Sequence, residues 1–119
     1  MLSLHNRRIF LCCSRVDMRK GFAGLSGLVI SDFGADPNSG DAFVFIGKRG
    51  NMLKVLVWDD DGFWCCAKRL VKGTFRVPSL EGAQGSACAV ALSMSAWELL
   101  LAGIIVRDRQ QLPRWKADD

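Results

Sequence analysis

No apolar run in this chain approaches the roughly 18 residues that a membrane-spanning helix requires. Arg7 and Arg8 precede only a short apolar stretch, Ile9 to Cys13, so no secretory leader is read there and a cytoplasmic protein is expected. The sequence also lacks a C-x-x-C pair. Its 5 cysteines fall as Cys12-Cys13, Cys65-Cys66 and Cys88, an odd count that suits neither a disulfide framework nor a zinc site. Small buried thiols in a reducing compartment are the expectation. His5 is the only histidine, and no nucleophile or ligand set accompanies it. Gly47-Lys48-Arg49-Gly50 lacks the order of a phosphate-binding P-loop. No internal repeat is visible.

What remains is an ordinary globular composition. The chain has 119 residues, half of them apolar and 24% charged, enough for one domain with its own core. A single α+β domain over 1–106 is expected, with 107–119 as a polar tail. The net charge of +4 is uneven, for residues 1–20 carry +4 and residues 41–76 carry +3. Such a distribution suits a polyanionic partner.

Ile9 to Cys13 reads as a strand. Asp17 then offers an N-cap for a helix whose apolar positions are Met18, Phe22, Leu25, Val29 and Phe33. Gly21, Gly24 and Gly27 form a bare strip in that pattern: either another backbone packs closely there, which is the favoured expectation, or the helix is weak. Asp36 to Gly40 is a loop. A β-meander follows: Ala42 to Ile46, Met52 to Trp58, Phe63 to Leu70, and Thr74 to Val77. Cys88 to Leu92 reads as a last strand. Ser93 or Ser95 caps a short C-terminal helix bearing Trp97 and Leu99 to Leu101. The fold class is thus an antiparallel β-meander of four to five strands with one N-terminal and one short C-terminal helix. The strands are nearly continuous in apolar residues, so both sheet faces must be covered, one by helices and the other by a partner or second layer. A homo-oligomer is one way to meet that need.

Asp59-Asp60-Asp61 invites a metal or nuclease reading, but three adjacent acids after a strand fit a solvated hairpin turn better. No catalytic residue, metal or cofactor is expected. The cations are the stronger signal. Alternate turns of a meander fall at one end of the sheet, which brings the Lys48-Arg49 and Lys72 turns together with Arg69 or Lys68 beside them. Arg19, Lys20 and Lys54 complete the candidate nucleic-acid-binding set.

The segments DMRKGFAGL at 17–25, DPNSG at 36–40, FVFIGKRGNMLKVLVWD at 43–59 and AKRLVKGTF at 67–75 occur in an order that resembles a known family. It is that of the TnpB accessory protein, the second-reading-frame product of the insertion-sequence family numbered sixty-six. The resemblance runs from about Ile9 to Ile104. The motif positions it carries over are Asp17 to Phe22, Gly50, Lys54, Asp59, Gly62, Lys68, Arg69 and Gly73. It implies a bacterial mobile element whose separate, larger transposase performs the strand chemistry. The implied partners are DNA at the element ends and that transposase, and no catalytic residues carry over. Two departures stand out: Asp60 and Asp61 where relatives have a different turn, and Ile105-Val106 where relatives continue with Asp-Trp. The expected role is a non-enzymatic accessory factor of transposition that binds DNA or a transposase–DNA complex. The alternative is a protein-only adaptor that docks on the transposase through an apolar sheet face.

Overall fold

The computed structural model describes residues 3–12, 14–75 and 89–102. Its centre is a five-stranded sheet in the order β4-β3-β2-β1-β5. The strands are β1 (Ile9–Cys12), β2 (Ala42–Ile46), β3 (Met52–Asp59), β4 (Gly62–Arg69) and β5 (Ala89–Leu92), and the helices are α1 (Phe22–Leu28) and α2 (Met94–Leu101). β2, β3 and β4 form the expected meander, in unbroken antiparallel register. β1 lies beside β2 in parallel, Ile9 opposite Ala42, and α1 lies on the connection between them. β5 pairs antiparallel with the other side of β1.

Alternation of side chains divides the apolar residues between two cores. Ile9, Leu11, Ala42, Val44, Ile46, Leu53, Val55 and Val57 pack with Leu4, Phe75, Leu92, Trp97 and Leu100 on the α2 side. Cys12, Phe43, Phe45 and Leu56 pack with Val16, Leu25 and Val29 on the α1 side. Every residue of β2 is buried, which explains its unbroken apolar run. The second layer anticipated from that run is therefore α2, supplied by the chain itself.

Three local expectations are corrected. Asp17 caps no helix. Its Oδ1 accepts the Arg19 backbone N–H at 2.9 Å in a side-chain-mediated turn, and α1 begins five residues later at Phe22. Among the described residues no second backbone approaches the glycine strip. A Cβ built on Gly21 or Gly27 meets none of their atoms within 4 Å, and one on Gly24 meets the Lys20 side chain. Those glycines weaken the helix. It loosens into a π-helical stretch, Val29–Phe33, which ends on Gly34 in the left-handed conformation at φ 64°. Finally, Thr74 and Phe75 are not in a strand. The remainder of that segment, Cys88 and the 107–119 tail lie outside the described residues.

The capping expectation at the other end holds. The Ser93 Oγ accepts the Ala96 N–H at 3.1 Å and opens α2. Phe75, whose N–H donates to the Gly50 carbonyl at 2.7 Å, closes the α2-side core beneath the β2–β3 turn.

Candidate nucleic-acid interface

The β2–β3 turn is built before it is charged. The Gly47 N–H donates to the Met52 carbonyl and the Gly50 N–H to the Gly47 carbonyl, both at 2.9 Å. Val16 bridges to Gly47 in parallel, extending the β1–β2 pairing past its strands. From beneath, Arg15 Nη1 donates to the Gly47 carbonyl at 3.1 Å. The Leu70 N–H donates to the Asn51 carbonyl at 2.8 Å. Lys48 and Arg49 stand exposed at the tip of this braced loop.

Two glycines are closely packed there. Gly50 sits at φ +79°, and a Cβ on it would come 2.9 Å from Arg15 Nη1 and 3.3 Å from Thr74. Gly50→Ala therefore combines a strained backbone with a clash, at a cost of about 1–3 kcal/mol. Urea unfolding is expected to show a lower midpoint at unchanged slope. A Cβ on Gly47 would lie 2.5 Å from Met18 Cγ, because Met18 rests directly on the turn.

Beside this turn opens a cleft of about 320 Å³. Met18 and Met52 give it apolar surface, and Arg19, Lys48, Arg49 and Arg69 line it together with Asp17. The Asp17 carboxylate is bound by Arg19, Nη2 to Oδ2 at 2.8 Å, with Nε also in reach of both oxygens. The Arg19 hydrogen bonds hold the Asp17 carboxyl well below the usual carboxylate range. Arg19 is thus neutralised by Asp17 where it stands, whereas Lys48 and Arg49 themselves form no ion pair among the described residues.

The remaining candidate cations divide between the sheet faces. Lys54 shares the α1 side with Arg69, and its Nζ donates to the Lys20 carbonyl at 2.9 Å, tying the approach to α1 onto β3. Lys20 itself is exposed next to Arg19. Lys72 is exposed on the loop that returns past Gly50 to Phe75. Lys68 turns to the opposite face, where its Nζ donates to the Leu101 carbonyl at the end of α2, 2.8 Å away. A cation there meets the negative end of the helix. It does not join the cleft.

Other charges prove structural. At the far end of the sheet Arg8 holds Asp41 through two hydrogen bonds of 3.0 and 2.7 Å. Arg7 donates to the Gly40 carbonyl at 2.7 Å and lies 3.5 Å from Asp59. Asp59 also accepts the Trp64 indole N–H at 3.1 Å, and Asp60 turns the hairpin at φ 59°. Among the described residues no three His, Cys, Asp or Glu side chains are placed to hold a metal ion. Cys12 is buried as expected, and burial pushes its thiol pKa up, but Cys66 is exposed. Met18 lines the cleft and Arg15 braces the turn at its edge, and neither is among the candidate site residues read from the sequence. Only their contacts with Gly47 reveal these roles.

The family model described as IS66 Orf2 like protein matches residues 7–111. The chain belongs to that family. Two similar proteins come from Sinorhizobium fredii (strain NBRC 101917 / NGR234), both carrying only the description of an uncharacterized protein. One, y4hO, is 37% identical over 106 residues, covering 89% of this chain and 88% of its own length. The other, y4jC, is 37% identical over 97 residues, covering 82% and 79%. No solved structure matches. The matched span takes in every element of this IS66 Orf2 like protein, from β1 to α2, and the whole cationic cleft.

Proposed function

We propose that the protein is a non-enzymatic accessory factor of DNA transposition, and that it binds DNA or a transposase–DNA complex through the cleft beside the β2–β3 turn. Family membership supports the accessory role in transposition. The observation that carries the DNA reading is the convergence of Arg19, Lys48, Arg49 and Arg69, from three separate stretches of chain, on one opening. Lys20, Lys54 and Lys72 flank it and would add longer-range attraction to phosphates, while Lys68 would act only through its field. Guanidinium groups suit phosphate oxygens because they offer paired donors in a plane.

Titration of element-end DNA at several salt concentrations tests this directly. Four phosphate contacts predict that log K falls against log salt with a slope of about −3.6. Absence of binding at low salt would remove the proposal. A subtler check uses Asp17. Asp17→Asn keeps an acceptor for the Arg19 N–H but removes the charge that neutralises its guanidinium. Tighter DNA binding, by roughly two- to fivefold at low salt, is the expected result in a competition assay.

The adaptor reading draws on a different feature. An apolar groove beside α2, lined by Leu4, Leu53, Val55, Trp97 and Leu101, is where a protein-only contact with the transposase would form. Co-purification with the transposase that survives nuclease treatment would favour it over the DNA reading.

A further inference from the structure

The two outer edges of the sheet are unequal. β5 has 4 residues among those described, a short edge that offers little to pair with. β4 has 8 residues, pairs with β3 through every one of them, and has no neighbour on its other side among the described residues. No proline, bulge or central charge protects this edge. Phe63 to Ala67 are all uncharged, and Trp64 is 48% exposed. Charges occur only at its ends, and they are of opposite sign: Asp60 and Asp61 precede it, Lys68, Arg69 and Lys72 close or follow it.

The ladder fixes which backbone groups are free. Asp59 pairs with Gly62 across the two-residue turn, and the Leu70 N–H donates to Asn51 further along. Alternation therefore turns Gly62, Trp64, Cys66 and Lys68 toward β3, and leaves the N–H and C=O groups of Phe63, Cys65, Ala67 and Arg69 facing outward. We propose that this edge pairs antiparallel with the β4 edge of a second copy, in the register centred on Cys65.

That register sets Phe63 opposite Ala67 and Asp61 opposite Arg69 of the other copy, so outward-facing groups meet outward-facing groups. A two-fold axis normal to the sheet keeps the α1 sides of both copies together, which a continuous pleat requires. The acidic end of each strand then lies against the basic end of its neighbour, and no like charges stand opposite. Pairing in the reverse, parallel sense would set acid beside acid. The joined sheet has both cationic clefts on one side, so it would present a doubled positive surface.

Sedimentation velocity of the full chain without DNA tests the pairing. The expected result is a concentration-dependent shift from the chain mass to twice that mass. Ala67→Pro removes an outward N–H and leaves the β3 ladder intact, so it is expected to sediment as monomer with unchanged circular dichroism. Asp61→Lys should weaken association by roughly fivefold or more, and adding Arg69→Asp should restore it, since the exchanged charges again meet across the axis. The restoration does not depend on how well the proline variant folds. A wild-type chain that stays at the monomer mass at its solubility limit would overturn the pairing. So would a folded Ala67→Pro variant that dimerises as well as wild type, or a charge-exchanged variant no tighter than the single reversal.

Discussion

Replacement of both Lys48 and Arg49 by glutamate is expected to weaken DNA binding by more than about tenfold at low salt, and to flatten its salt dependence by about 2 in log–log slope. The two side chains stand exposed at the turn tip and line the cleft. Each phosphate contact releases about 0.9 counterion, so losing two contacts lowers the slope by roughly that sum, and two new carboxylates add repulsion. The fold should be spared. The turn is held by backbone bonds from Gly47, Gly50, Val16, Leu70 and Phe75, none of which uses either side chain. Fluorescence anisotropy at several salt concentrations, with an unfolding curve for each variant, separates the two effects. A slope unchanged from wild type would show that the turn does not touch phosphate.

The largest loss of stability is expected from Phe43→Ala. Phe43 is fully buried in β2 on the α1 side. Its ring stacks 6.0 Å from Phe10 and meets Phe33 edge-on at 5.3 Å. Truncation removes the transfer energy of the ring, leaves a cavity between the sheet and the π-helical stretch, and abolishes both aromatic contacts. Such changes cost about 3–5 kcal/mol. A domain of this size has only about 5–15 kcal/mol in total, so most of the margin goes. Urea denaturation should show a much lower midpoint, with little change in slope. Ile30→Ala is the matched control: Ile30 is 61% exposed, and its loss should fall within about 0.5 kcal/mol. A Phe43→Ala variant that loses less than about 1 kcal/mol would mean the α1-side core does not hold the sheet.

How far the sequence could be read depended on the distance between interacting residues. The β2–β3–β4 meander was legible because each hairpin is closed by a turn whose residues announce it, Gly47 to Asn51 and Asp60-Asp61. A serine cap for α2 was legible for the same reason, but the choice between Ser93 and Ser95 was settled only by the hydrogen bond from the Ala96 N–H to the Ser93 Oγ. The position of β1 between β2 and β5 was not, since an apolar β-branched run marks a strand without naming its neighbours. Asp17 reads equally as an N-cap or as a side-chain turn, because both use the same acceptor on nearby amides. Met18 lying on Gly47 and Val16 bridging to it decide between them. The apolar spacing continues through Val29 and Phe33 and so does not mark the end of α1, although the backbone there has loosened to a π-helix.

The same distinction governs the charges. Sequence alone was enough to establish the motif order that marks an IS66 Orf2 like protein, the apolar runs that demand cover on both sides of a sheet, and the presence of two cationic turns. It could not say which cations act together, because neighbours on a strand face opposite ways and ion pairs form between residues far apart. Only the tertiary structure sends Lys68 to the end of α2 and Arg69 to the cleft, commits Arg7 and Arg8 to Asp59 and Asp41 at the far end of the sheet, and sets Arg19 beside Lys48 and Arg49. Composition counts charge, but register and long-range packing decide where that charge points.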